Sequence, residues 1–565
     1  MNLRSEAKSA VKSLSRSARR MILPERDVTS WADLLRRERP LWDERRRAAI
    51  GGPKILIATG TGGHPAVTPV ESMLAVALSL RGADVRVLLC DEFLPACLQA
   101  TREEFLFISS FARRGPKALC GSCLRTGLAT FGSLGLPILR YSDLVSSVEK
   151  GVAQDISATM PPGDIATYRE GRVSIGEHAL AGSLRFFGKG ALQDERLGEA
   201  VLRRYLFASL LTVRAANRLL DSDSYASLVF HHGIYVPQGL IGEVARSRDV
   251  PVVNWNPAYR KRCFVFSHGD TYHHTLMHEP TSAWENLAWT PELEDRLMAY
   301  LKSRRDGSQD WIWFHERPNT DIPAIREELG IDPARPLIGM LTNVVWDAQL
   351  HYPANAFPSM IDWTLRTIRY FEGRPDLQLV IRAHPAEITG GVPSRQLVTD
   401  VIKHAFPRLP ENVMVIPPQS RISTYAVMSL CDSAIIYGTK TGVELTSLGM
   451  PVIVAGEAWI RNKEISLDAS SIEEYFRLLD RLPFGKRLDD LTQRRARKYA
   501  YHFFFRRMIP LSFMQPQRGW PPYRVQVNSL QELLPGCDRG LDVICEGILS
   551  GSSFIYPDEE KLGGD

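Results

Sequence analysis

The chain has 565 residues, 44% of them hydrophobic and 24% charged, with 41 Gly, 36 Pro and a formal charge of +5. This composition excludes collagen-like, low-complexity and disordered classes, and at roughly 100–200 residues per domain it predicts two to four domains. Eight cysteines are too few for a disulfide scaffold and predict a reducing compartment. No apolar run approaches the about 20 residues that span a bilayer, and no signal-peptide core follows the basic start, so a cytoplasmic protein is expected.

The charge is unevenly placed. Residues 1–50 carry 13 Lys/Arg against 7 Asp/Glu, and the remainder carries 56 against 57. A near-neutral body argues against a nucleic-acid partner, which needs a basic folded face. In the arm, Leu3, Ala7, Val11, Leu14, Ala18 and Met21 recur at helical spacing among Lys8, Lys12, Arg16, Arg19 and Arg20. The pattern predicts a weakly amphipathic basic helix over residues 1–23, either touching an anionic inner-membrane surface or simply solvated. The second basic run, from Arg36 to Arg47, predicts a helix leading into the first domain.

At Lys54 the pattern changes. Residues 55–58 read as a buried strand, followed by Gly60-Thr61-Gly62-Gly63-His64-Pro65, a helix over 67–80 and a strand over 84–90. That is a βαβ unit in a parallel sheet. Strands at 227–232 and 251–254 continue it, and residues 112–226 form a mostly helical insertion. A linker is expected around 306–332. A second α/β set comes next, with strands at 337–341, 377–382, 413–416, 433–437 and 451–454 and a helix over 362–371. The expected domains are an arm at 1–50, a first Rossmann-like domain at 51–325 with the insertion, a second at 326–490, and helices returning to the first domain, with a tail, at 491–565.

In such sheets ligands meet the carboxyl ends of the strands, so strand-end residues are the candidates. Gly62 and Gly63 let backbone N–H groups approach an acceptor, and His64 is either a general base or a helix cap. The spacing lacks a dinucleotide fingerprint, with Asp91 the nearest ribose candidate. In the second set, Arg382 and His384 with Glu387 nearby suit a phosphorylated donor, or mark an ordinary turn. Gly438, Thr439, Lys440 and Thr441 open a helix and suit an anion, with Glu444 facing sugar or ribose hydroxyls; a Walker A loop is absent. Asn343 and Asp347 follow the strand at 337–341, Asp347 being alternatively a helix cap. His231 and His232 end a strand, and His232 and Arg260 are acceptor candidates. With His268, His273, His274 and His278 these histidines have no metal-ligand spacing, and no metal site is assigned. Cys120 and Cys123 form a lone C-x-x-C, and no nucleophile motif is present.

With Thr342–Asp347, Arg382–Pro385, Gly438–Glu444 and residues 448–452, the second set resembles the bacterial capsule polysaccharide synthesis proteins, which are GT-B glycosyltransferases. The loop from Gly60 to Pro65 is similar to that of the peptidoglycan N-acetylglucosaminyltransferase that makes lipid II. The resemblance covers about 335–510 well and 54–90 and 227–280 loosely. It implies α/β architecture with two Rossmann-like doubly wound domains facing across a cleft. It further implies a hexosyl- or Kdo-type glycosyltransferase that needs neither metal nor cofactor and uses a nucleotide-sugar donor. The acceptor would be a growing or lipid-linked glycan in capsule or surface polysaccharide synthesis, at the cytoplasm or peripherally at the inner membrane. By carry-over Asn343 and Gly438–Thr441 hold the donor, with Lys440 and Thr439 at its phosphate and Glu444 at its hydroxyls. Arg382 and His384 meet the leaving group. His64 and His384 are the catalytic candidates. Kdo-type relatives use a carboxylate in the first domain that the sequence does not locate. Residues 498–507 would belong to a C-terminal helix crossing back. The alternatives are a nucleotide-sugar 2-epimerase of the same architecture and a non-catalytic polysaccharide-binding or export subunit.

Overall fold

The computed structural model describes residues 29–305, 307–311, 318–347 and 353–561. The expected helix over residues 1–23 lies outside them. Contacts divide the chain into two compact units. The first takes the chain through Ala258, then Arg262–Tyr272 and Ile509–Ile555; the second takes Tyr259–Lys261, His273–Met508 and the chain from Tyr556.

The first unit opens with α1 (Trp31–Arg37) and α2 (Arg39–Ala49), where the second basic run was expected to be helical. Its sheet contains β1 (Lys54–Gly60), β2 (Asp84–Leu89), β3 (Ile138–Arg140), β4 (Ser227–His231), β5 (Val252–Pro257) and β6 (Cys263–His268). Strands β3-β2-β1-β4-β5 are adjacent in that order and parallel. This is the order of a doubly wound sheet, reversing direction of growth between β1 and β4. Apolar Ile55, Leu56, Ile57 and Ala58 are buried because both faces of β1 are covered. β6 turns back antiparallel on β5, and a short strand, Ile509–Pro510, closes the edge beyond it.

Helix α3 (Thr68–Leu80) follows β1 and is buried all round, with Glu71 its one charged residue. Residues 112–226 are mostly helical as expected, with α4 (Lys117–Gly132), α5 (Ile175–Phe187) and the 25-residue α6 (Gly198–Ser222). The insertion also supplies β3, which sequence periodicity did not reveal because only three residues pair. Helix α7 (Gln238–Ser247) follows β4.

The second unit carries six parallel strands: β7 (Leu337–Leu341), β8 (Gln378–Arg382), β9 (Val413–Ile416), β10 (Ser433–Ile436), β11 (Val452–Val454) and β12 (Leu467–Asp468). Their order, β9-β8-β7-β10-β11-β12, repeats the doubly wound pattern with its switch point between β7 and β10. Helix α8 (Pro291–Ser303) groups with this unit, although sequence reading assigned residues through 325 to the first domain. The antiparallel β6 has already turned the chain back on the first sheet, and Glu294 on α8 pairs with Arg497 on the later helix Asp490–Tyr501. Helix α9 (Met360–Glu372) buries Met360, Trp363, Thr364, Thr367, Ile368 and Phe371, one stripe at helical spacing. α10 (Thr441–Ser447) follows β10, and α11 (Asp490–Tyr501) runs into a π-helical turn, His502–Arg506. Most of the 498–507 run is buried within this second unit; the chain groups with the first unit from Ile509 onward. Among the described residues no helix is long and apolar enough to cross a membrane.

Candidate functional site

In the second unit β7, β8 and β10 are neighbours, so the loops leaving their carboxyl ends emerge side by side at the switch point. Leu341 pairs with Arg382 on one side and Ile436 on the other. This register brings Asn343, His384 and Gly438–Lys440 together. His384 Nδ1 accepts the Ala386 N–H (3.0 Å), because Pro385 turns the chain between them. The ring proton therefore stands on Nε2, leaving His384 a hydrogen-bond donor. Burial first, then the Lys440 and Arg382 charges, push its pKa down to about 4, so it is neutral at pH 7. Thr342 Oγ1 fixes the His384 backbone N–H at 3.2 Å. Asn343 Oδ1 is buried without a hydrogen-bond partner, the mark of a group awaiting a ligand or water. Gly438 is required by close packing: a Cβ there would lie 2.8 Å from the Glu457 carbonyl oxygen. Thr439 Oγ1 closes the turn, accepting the Thr441 N–H at 3.4 Å and donating to Thr441 Oγ1 at 3.3 Å.

Four sequence expectations for this region are corrected. Glu444 does not face sugar hydroxyls: its side chain is 1% exposed and meets Arg304 Nε (3.0 Å), Lys440 Nζ (2.9 Å) and the Tyr425 hydroxyl (2.6 Å). Arg304 also pairs with buried Asp310, which accepts from Tyr300 at 2.8 Å. Glu444 is thus the counter-ion that fixes Lys440, which itself sits over the Tyr259 ring, 4.7 Å from its centre. Arg382 does not open toward a donor: its guanidinium donates to the Pro417 (2.5 Å) and Ser420 (3.2 Å) carbonyls beyond β9. Arg260 groups with the second unit, donating to the Phe504 carbonyl (2.7 Å) and stacking over Phe505 (4.4 Å), so it is no acceptor-domain cation. Asp347 is exposed and does not cap α9, which Ser359 caps through the Asp362 N–H (3.1 Å).

The first unit repeats the device. His64-Pro65-Ala66 follows β1 as His384-Pro385-Ala386 follows β8, and His64 Nδ1 accepts the Ala66 N–H at 3.2 Å. His64 is therefore also an Nε2–H donor in this geometry, nearer to the capping role than to the general base among the two expected from sequence. The recurring tripeptide was the available signal. Gly62 and Gly63 serve packing rather than an acceptor: Cβ atoms there would lie 2.7 Å from Gly127 Cα and Cys123 Cα of α4. The Gly63 N–H goes to Cys123 Sγ (3.1 Å).

His231 lies between His64 (ring centres 5.7 Å) and His232 (5.5 Å), with Trp255 at 4.9 Å. His232 holds φ +66° at the strand end, a strained position for a residue with a side chain. Burial and then Arg185 push its pKa down to about 4. Thr61, His231, His232, Gln238, Asn254 and Asn256 each keep a buried polar atom without a hydrogen-bond partner. Such a density of orphans at the carboxyl ends of β1, β4 and β5 marks a polar site, with the Arg185 charge acting on His231 and His232 and Glu71 beneath Trp255.

Both sheets are Rossmann-like. No protein-family model matches the chain. No curated protein matches it either. Similar solved structures include KpsC, the beta Kdo 2,4 transferase of Thermosulfurimonas dismutans, at 15% identity over 49% of this chain and 79% of that one, TM-score 0.32. The UDP-GlcNAc 2-epimerase from Neisseria meningitidis bound to UDP-GlcNAc is 11% identical over 80% and 98%, TM-score 0.24. The Streptomyces sp. SF2575 glycosyltransferase SsfS6, complexed with thymidine diphosphate, is 11% identical over 79% and 94%, TM-score 0.22. The two strand orders by themselves define each sheet as doubly wound.

Sequence reasoning missed Glu71, the lone charge on apolar α3. It accepts the Trp255 indole N–H at 3.0 Å, and burial raises its pKa to about 7 against the opposing pull of Thr59, Trp255 and the His231 main chain. The folded state therefore binds a proton that the unfolded chain releases near 4.5. Stability is fully present below that value and falls as pH rises through 7. Glu71→Gln removes this penalty, worth on the order of 3 kcal/mol above pH 8. Denaturant unfolding should show the variant's advantage over the parent widening from pH 5 to pH 8; an unchanged gap would contradict the assignment. Cys120 and Cys123 are free, partly buried thiols whose pKa values burial raises, which makes them packing groups. Among the described residues no three His, Cys, Asp or Glu side chains are grouped to hold a metal.

Proposed function

We propose that this protein is a glycosyltransferase moving a hexosyl or Kdo-type sugar from a nucleotide-activated donor to a growing or lipid-linked glycan of the bacterial capsule or cell surface. The observation that carries this is the strand-end set of the second unit. There Lys440, the fixed Nε2–H of His384 and the unpartnered Asn343 Oδ1 stand at a switch point. A cation and a neutral N–H donor match a nucleotide diphosphate or monophosphate, and they stabilise the charge that grows on it as the sugar leaves. Lys440 and His384 carry this role. Gly438 and Thr439 shape the turn, while Arg382 and Glu444 act through the groups they hold.

The first unit supplies the acceptor half. Its mixture of neutral donors and acceptors, His64 and His232 among them, suits sugar hydroxyls, with Arg185 as the nearby cation. His64 Nε2–H orients an acceptor oxygen, and the unpartnered His232 Nδ1 is the nitrogen open to its proton. Thermal-shift measurement against UDP-, CMP-, GDP- and dTDP-sugars should identify a stabilising donor. Incubation of that donor with and without glycan acceptor then tests the reaction. Nucleotide release and sugar transfer that require acceptor are expected. Epimer formed from donor alone would establish the 2-epimerase instead.

A further inference from the structure

Residues 105–142 contain five basic side chains, Arg113, Arg114, Lys117, Arg125 and Arg140, and no Asp or Glu; partly exposed Glu103 and Glu104 stand directly before this stretch and Asp143 directly after. All five are exposed, and none is held in an ion pair among the described residues. Directly before them the chain exposes Leu106 (48%) and Phe107 (67%), two of the larger apolar side chains on the surface. These residues are not a loose tip. Phe105 and Phe111 on either side are buried, with ring centres 4.9 Å apart, and Phe111 stacks on Phe186 at 4.4 Å. The core thus holds the short helix Ile108–Arg114 in place, with Leu106 and Phe107 exposed before its start and Arg113 and Arg114 exposed at its end.

We propose that this surface docks the first unit onto an anionic lipid bilayer, Leu106 and Phe107 entering the headgroup boundary and Arg113, Arg114, Lys117 and Arg125 meeting lipid phosphates. Charge complementarity selects this occupant. An exposed apolar pair followed along the chain by exposed Arg113, Arg114, Lys117 and Arg125 fits a bilayer's anionic headgroups over its acyl chains. A soluble polyanion would leave the apolar pair uncovered. Placement agrees as well: α4, which carries Lys117 and Arg125, is the helix on which Gly62 and Gly63 of the His64 loop pack. Docking through this surface therefore sets the His64 loop near a membrane-borne glycan. The inference does not depend on the transferase reading, because vesicle binding requires no donor.

The test uses the full chain and co-sedimentation with phosphatidylglycerol/phosphatidylcholine vesicles, beside phosphatidylcholine alone and soluble dextran sulfate. The residues 1–23 arm is common to all proteins compared, so ratios between them report this surface. R113Q/R114Q should weaken partitioning onto the anionic vesicles about tenfold or more, since each cation near such a surface is worth roughly fivefold. L106S/F107S should weaken it by a similar factor while leaving dextran sulfate binding unchanged. Nucleotide-sugar binding, where present, should be unaltered in both variants. Partitioning equal to the parent's in either variant would overturn the proposal, as would failure of the parent to bind anionic vesicles. A parent that binds dextran sulfate as tightly as vesicles, with L106S/F107S indistinguishable from it on both, would assign the surface to a soluble polyanion instead.

Discussion

Glu444→Ala should destabilise the second unit by about 3–5 kcal/mol, the cost of removing one partner from a buried charge pair. In a unit of this size that corresponds to a melting temperature lower by on the order of 10 °C. The reason lies in what the carboxylate leaves behind. Arg304 is buried and Lys440 mostly so, and they share Glu444 at 3.0 and 2.9 Å. Without it, two cations face Asp310 alone, and the Tyr425 hydroxyl loses its acceptor. Burial by itself would raise the Glu444 carboxyl, but Arg304 and then Lys440 override it and hold it below its usual value of 4.5. The unfolded chain therefore takes up the proton first on acidification. This contribution is complete above about pH 4.5 and is lost as pH falls through the lower folded value. The parent should lose stability in that acid range more steeply than Glu444→Gln. Lys440→Met separates the two roles: Glu444 keeps Arg304, so the melting temperature should fall less while nucleotide-sugar binding weakens tenfold or more. Differential scanning calorimetry and ligand-induced melting shifts on the same samples decide it. If Glu444→Ala melts with the parent yet fails to bind donor, Glu444 is a ligand group and the network reading fails.

The fold was legible in the sequence where local pattern and long-range contact agree. Apolar runs closed by Gly60, His384 and Gly438 marked strand ends that do carry the candidate groups, because a buried parallel strand needs an unbroken apolar stretch. What was not legible depends on partners distant in the chain. Lys440 and Glu444 are spaced to pair on one helix turn, but Arg304 reaches the same carboxylate from 140 positions away, and no periodicity announces it. The same holds for Gly62 and Gly63. A glycine that admits a ligand and one that admits α4 look alike until Gly127 and Cys123 are seen against them. Arg382 was expected at a phosphate because guanidinium forks suit phosphates. The Pro417 and Ser420 carbonyls take up both terminal nitrogens of that fork once β9 lies beside β8.

His384→Ala should lower kcat by about 10²–10³ with little change in melting temperature, the scale of losing one fixed donor to developing charge. The prediction follows from the tautomer. With Nδ1 occupied by the Ala386 N–H, Nε2 can only donate, and a donor of fixed direction needs no reorganisation as charge reaches the leaving phosphate. His384→Gln, whose amide nitrogen reaches near the same point, should recover part of the rate, while His384→Asn, one carbon shorter, should recover less. The pH profile is the sharper test. Burial, Lys440 and Arg382 push the imidazole down to about 4, so it stays neutral from pH 8 to well below 6, and turnover should show no limb near 6.5. On the acid side the unfolded chain protonates first, near 6.5, so this contribution to stability is complete above that value and fades toward pH 4. Protonation in the folded state would place a proton on Nδ1 against the Ala386 N–H, which opens the turn rather than improving a donor. A rate limb near pH 6.5 that disappears in His384→Gln would show instead that the ring exchanges protons during turnover. In that case the Pro-Ala turn must release Nδ1 in the working enzyme, and the same would follow for His64, which is held by the same three residues.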